Sequence, residues 1–206
     1  MTTSDAMLQD RELTELLRLL ERRSASQVSL HEGACCRIAE AWVRAMADSL
    51  SHEQFEPRWI TDRWTWGPTK WPLTWCEAVR RTELDCGALA HLAEVAFRET
   101  GRVVVRAQLV EAHSADQCAQ WGARWQAVPE VPRWIWGCLV YHEAVGVISG
   151  TDLRLWDPTD GRWRDPADES GRIRAIRLAG AEAAPAPSSL RWGDVALPPG
   201  RWIRLP

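Results

Sequence analysis

Tyrosine and phenylalanine are nearly missing from this chain: its 206 residues hold one Tyr and two Phe, against 14 Trp. A charge excess is missing as well. With a formal net charge of -3 and a pI near 6.0 the chain offers no basic face, so neither nucleic acid nor an anionic membrane surface is expected as a partner. No apolar run is long enough to span a bilayer, and no basic stretch followed by an apolar one opens the sequence, so a cytoplasmic protein is expected. There is no C-x-x-C pair and no internal repeat. Six cysteines, two of them adjacent at Cys35 and Cys36, do not form a disulfide framework, and adjacent cysteines are poorly suited to bonding each other. The expectation is reduced thiols, with no metal and no cofactor.

What is present suffices for a sizeable core: 46% of the residues are hydrophobic and 26% charged. Three parts are expected: a helical N-terminal extension over 1–50, a core over 51–178, and an Ala/Pro-rich linker with a C-terminal arm over 179–206. In the first part, Ser4 or Asp5 can cap a helix to Arg23 with Leu8, Leu13, Leu16, Leu17 and Leu20 as its apolar stripe. Ser29 and Glu32 form a capping-box pattern for a second helix, with Cys35, Ile38, Trp42, Met46 and Ser49 at helical spacing. Pro57, Gly67, Pro68 and Pro72 break up residues 51–80, leaving room for a short helical turn from Cys76 to Arg81. His31 and His52 are expected on the surface.

The chemistry centres on Leu84-Asp85-Cys86-Gly87-Ala88-Leu89-Ala90, which opens an amphipathic helix ending at Gly101. Either Thr82 or Asp85 can cap it. Both choices put the Cys86 sulfur in the first turn, where unpaired N–H groups and the helix dipole favour a thiolate. A strand from Val103 to Val110 follows, and then residues 111–133 with Gly122, Pro129 and Pro132, which read as a long loop or lid. Leu139–Ile148 and Leu153–Asp157 read as two strands of a hairpin. A two-residue turn at Ser149-Gly150 pairs Ile148 with Thr151 and sets His142 opposite Asp157, within reach of an imidazole–carboxylate hydrogen bond. A three-residue turn would place the two on opposite faces. Cys86, His142 and Asp157 then supply a nucleophile, a base and an orienting acid.

At these residues the sequence resembles the transglutaminase-like superfamily of cysteine acyltransferases and peptidases. The matching pieces are Cys86 with Ala90, the helix-ending Gly101, Val105-Arg106, His142, and Trp156-Asp157-Pro158-Thr159, so the resemblance covers Leu84 to Trp163. It departs from the family pattern at Ala144, where an aromatic residue is common, at Glu143, and in the lengthened span between Cys86 and His142. The resemblance implies an α+β, papain-like fold with the catalytic helix packed on an antiparallel sheet. It also implies acyl transfer or hydrolysis on a peptide or amide-containing small molecule, through a thioester on Cys86.

Two clusters of Trp flank this pattern: Trp64, Trp66, Trp71 and Trp75, then Trp121, Trp125, Trp134 and Trp136. They read either as core packing or as an indole-lined groove, in which Trp71, Trp75, Trp134 and Trp136 are the expected substrate-binding residues. Trp71 and Trp75 are also candidates for the second oxyanion donor beside the Cys86 N–H. Competing readings are a non-catalytic, Trp-rich peptide-binding module on the same fold, and a cell-wall peptidase of the NlpC and P60 type, to which Asp85-Cys86 and the strand from His142 to Val147 are similar. Arylamine acetyltransferases share the Cys-His-Asp order without the motif around the cysteine. A zinc site from His113, Cys118, Cys138 and His142 is disfavoured by the spacing, since strand residues four apart are separated by about 13 Å.

Overall fold

The computed structural model describes residues 3–22, 36–49, 56–69, 73–127, 134–179 and 189–206. The predicted features at Ser29, His31, Glu32, Cys35, His52 and Trp71, and most of the linker, lie outside the described residues. The long apolar runs of the second half form the centre of one antiparallel sheet: β3 (Val103–Ala112), β5 (Leu139–Ser149), β6 (Asp152–Asp157) and β8 (Ile173–Ala179), in the order β6-β5-β3-β8. Both faces of these strands are covered, which is why they read as near-continuous Val, Leu and Ile.

The C-terminal arm supplies edge strands to both sides. β9 (Leu190–Trp192) pairs with β6 in parallel and with β10 (Val195–Leu197), while β11 (Ile203–Arg204) pairs with β8. β4 (Ile135–Trp136) and β7 (Arg162–Arg164) add to β5 and β6. The sheet curls into a nearly closed barrel. Alternation then decides the packing: Val105, Ala107, Leu109, Ala144, Leu153, Leu155, Ile176 and Leu178 fill the inside with Leu190, Trp192 and Leu197.

The opposite parity faces helices. Val104, Val145, Val147 and Trp156 pack against α5 (Cys86–Glu99), whose Leu89, Leu92, Ala93 and Ala96 are fully buried. Farther along the same face, Val110, Leu139, Tyr141 and Ala175 receive Leu13, Leu16, Leu17 and Leu20 of α1 (Thr3–Arg22). Between these apolar ends sits a buried polar group: Arg106 donates to Glu143 at 2.7 Å and to Glu94 at 2.7 Å, while Tyr141 also donates to Glu143. The chain is therefore mixed α+β with a mostly antiparallel sheet, as expected. No helix among the described residues is long and apolar enough to cross a membrane.

Several expectations need correction. α2 (Cys36–Ser49) buries Cys36, Ala39, Val43 and Ala47 against α5 and the short α4 (Trp75–Arg80), whereas Ile38 is 80% exposed and Trp42 sits at the rim. Small residues at that spacing let the helices approach, and Ile38 and Trp42, one position earlier on the helix, are left outside. Residues 115–126 are not loop but α6 (Ala115–Gln126), started by Ser114, whose hydroxyl accepts from the Gln117 N–H at 3.2 Å. It packs through Cys118 and Trp125, and Gly122 sits within it.

Two more corrections concern the hairpin and the thiols. The turn is Gly150-Thr151, with Ser149 opposite Asp152, so the ladder is displaced by two residues from the predicted register. Gly150 has φ +63°, the left-handed conformation that a primed two-residue turn requires at its first position. A displacement of two preserves which face each side chain takes. Cys76 is disulfide-bonded, so the thiols are not all reduced; Cys36, Cys86, Cys118 and Cys138 are free. Adjacency of Cys35 and Cys36 argues only against their mutual bond, not against bonds to other parts of the chain.

His91 of α5 stacks edge-to-face on Trp75 at 5.1 Å, and burial and then Arg106 lower its pKa to about 4. The folded state thus binds fewer protons than the unfolded chain between pH 6.5 and 4, so stability should fall as pH drops through that window. His91→Phe keeps a ring on Trp75 and should remove on the order of 2 kcal/mol of this acid loss, read as urea midpoints at pH 7 and pH 5.

Candidate active site

The start of α5 is built by its approach. α3 (Trp59–Arg63) leads into β1 (Thr65–Trp66), which lies parallel to β2 (Glu83–Leu84), delivering Asp85 to the helix start. Of the two caps considered, Asp85 is the one used: its Oδ1 accepts from the Ala88 N–H at 2.8 Å and its Oδ2 from the Thr69 hydroxyl at 2.7 Å. Cys86 therefore occupies the first helical position, where backbone N–H groups lack intrahelical acceptors. Arg106 also donates to Gly87 O at 3.4 Å, tying this first turn to the sheet.

His142 comes from β5 at a gap in its edge. That edge pairs with β4 at Leu139 and Val140, the Tyr141 N–H donates to Trp134 O at 2.9 Å, and β6 joins only from Val145 onward, so residues 142–144 have no ladder partner there. In this gap the imidazole faces the Cys86 thiol and acts on its charge, and its Nε2 meets Asp157 Oδ2 at 2.8 Å. Asp157 is one diagonal step from the predicted pairing, beyond the last ladder pair of Val145 with Trp156. Diagonal neighbours stay within reach of a long side chain. All three groups are buried, Asp157 completely and Cys86 and His142 to within a few per cent.

Burial sets the electrostatics. It pushes the Cys86 thiol up, opposed by His142 beside it, and the net direction is upward. The helix start was expected to favour thiolate; desolvation outweighs that preference. Burial also works against charge on His142, but Asp157 beside it holds the imidazole well above its ordinary range. For Asp157 burial alone would raise the carboxyl, and contacts from His142, Arg164 and Thr159 instead hold it far below the usual carboxylate range.

A cavity of about 250 Å³ opens on His142. One wall is Trp66 and Trp121, edge-to-face at 5.5 Å; the other includes Thr159, Asp160 and Arg164, with Glu111 and Arg172 nearby. Of the described Trp residues predicted to hold substrate, Trp75, Trp134 and Trp136, none lines this cavity. Trp75 is buried in the core against His91, Trp134 packs on Tyr141 at 5.0 Å, and Trp136 is exposed on β4. A larger cavity, about 670 Å³, lies elsewhere, between Leu153, Trp163, Ile173, Trp192 and Val195. Among the described residues no three His, Cys, Asp or Glu side chains converge as a metal site, and His113 is instead bound to Glu111 at 3.0 Å.

The sequence reading named Trp66 and Trp121 in its Trp clusters without assigning them to substrate, and it missed Glu111 and above all Arg164. The last could have been counted: the four-residue turn after Asp157 pairs Asp157 with Arg162, so Arg164 lies on the same face one diagonal step away. Comparison with known proteins returns no match: no family model, no curated protein and no solved structure is significantly similar to the chain.

Proposed function

We propose that the chain is a cysteine-dependent acyltransferase or hydrolase of the papain-like, transglutaminase-like kind, acting on a peptide or amide-containing small molecule. One observation carries the reading: His142, which opens on the cavity, bonds Asp157 at 2.8 Å and acts on the Cys86 thiol, so three separate elements bring a nucleophile, a base and an acid together. His142 Nδ1 takes the thiol proton as Sγ bonds to the substrate carbonyl carbon. The oxyanion is placed near the Cys86 N–H, since the Asp85 cap takes those of Gly87 and Ala88. The C–N bond then breaks and His142 returns the proton to the leaving amine; water or a second amine attacks the thioester as His142 takes its proton, the C–S bond breaks, and the proton passes back to the Cys86 sulfur. Asp157 keeps the imidazole oriented and steadies its charge throughout.

Intact-mass analysis of the protein mixed with a pool of amide and peptide substrates tests this. An adduct on Cys86 that is lost in Cys86→Ala supports it, and turnover by Cys86→Ala would end it. Trp66 and Trp121 are the walls a substrate would meet. Trp121→Ala should therefore raise KM about tenfold with kcat little changed, the pattern of lost ground-state contact. The same two indoles, with a thiol that burial pushes up, are what favours the second reading, a peptide-binding module without catalysis. In that case Trp121→Ala weakens peptide binding and no covalent adduct forms.

A further inference from the structure

Asp157 serves two cations with one oxygen. Its Oδ2 receives His142 Nε2 at 2.8 Å and Arg164 Nε at 3.0 Å, with Arg164 Nη2 also in contact. Its Oδ1 receives the Thr159 N–H at 2.9 Å and the Thr159 hydroxyl at 2.6 Å. A carboxylate has about four lone-pair sites, so these donors leave none spare. Arg164 is fixed in turn: Nη1 donates to Glu169 Oε1 at 2.8 Å, and Asp160 lies 3.7 Å from Nη2. Its side chain is nine-tenths buried, so water screens these contacts little.

We propose that Arg164 is a positioning residue for the triad: its guanidinium, clamped between Asp157 and Glu169, locks the carboxylate in place and withholds part of its charge from His142. A lone carboxylate beside a buried imidazolium stabilises it so strongly that the ring holds the proton it has taken and becomes a poor donor to the leaving amine. A second cation on the same oxygen weakens that hold, leaving the proton free to move on from the ring. Arg164 also lines both cavities, so it is the side chain through which an occupant of the larger one would reach the triad.

Other charges face the same pair. Glu111 from β3 acts on both His142 and Arg164, and Arg172 lies 3.6 Å from Glu111 and 3.7 Å from Glu169. His113 is bonded to Glu111, and Asp85 and Glu143 act on Cys86 from the far side. None of them touches Asp157 Oδ2. Arg164 alone among the described residues shares that oxygen with His142.

The test is the His142 titration midpoint, followed by NMR of its ring carbons in the full chain. Arg164→Met should move it upward by about one pH unit, and Arg164→Lys, which keeps the charge but loses the fork, by less. Glu169→Gln gives Arg164 wholly to Asp157 and should move the midpoint downward, which keeps the test open if Arg164→Met does not fold. No movement in Glu169→Gln, or a midpoint in Arg164→Met equal to or below that of the unaltered protein, overturns the proposal. It rests on His142 being the base, but the midpoint needs no turnover: shifts as expected with an unreactive Cys86 would refute the enzyme and leave the clamp standing.

Discussion

His142→Ala should slow both turnover and Cys86 alkylation near neutral pH about a thousandfold, the usual contribution of a positioned general base. The protein should stay folded. Asp157, which would otherwise be left as a buried unpaired charge, keeps Arg164 and both Thr159 donors, so its charge remains compensated. Circular dichroism and a urea midpoint on the same preparation separate loss of the base from loss of the fold. An alkylation rate within tenfold of the unaltered protein would mean that the imidazole does not activate the sulfur.

Arg106→Met carries the largest expected effect on stability. Arg106 lies between β3 and α5 and is the shared partner of Glu143, fully buried, and Glu94, while also reaching Gly87 O next to Cys86. Removing one side of a buried ion pair costs about 3–5 kcal/mol, because the remaining charge has lost its compensation. For a chain of this size that lowers the melting temperature by roughly 10 °C. Burial already raises the Glu143 pKa against the pull of Arg106, so without the arginine Glu143 should take up a proton at a higher pH. Adding Glu143→Leu to Arg106→Met removes the stranded carboxylate and should recover much of the loss, read by thermal unfolding of both variants.

The sequence made the chain of elements from Cys86 to Asp157 legible because period and punctuation there are unambiguous: a cap, a helical stripe, a glycine at φ +73°, and two β-branched runs around a glycine turn. The hairpin register was misread by two residues. Gly150 occupies the first position of a two-residue turn in one reading and the second in the other, and sequence alone ranks these poorly. The site survived the error because parity, not register, decides the face. α6 was hidden by its polar surface and by Gly122, though Ser114 with Gln117 marked its start. The Trp residues carry no positional signal. Trp75 and Trp66 belong to the same sequence cluster, yet one packs inside against His91 and the other walls the cavity, a difference set by tertiary contacts. Arg164 shows the cost of stopping at three residues, since its place follows from the same strand counting applied one hairpin further on.

Competitive labelling with a limiting amount of iodoacetamide at neutral pH, followed by peptide mass mapping, measures the central claim most directly. Cys118 and Cys138 are the internal standards, since both are free and neither faces a histidine in the way Cys86 does. If His142 draws the proton from Cys86, that residue is alkylated first despite its burial, and Asp157→Asn diminishes its lead. Labelling of Cys86 no faster than Cys118 and Cys138, unchanged in Asp157→Asn, would contradict the account.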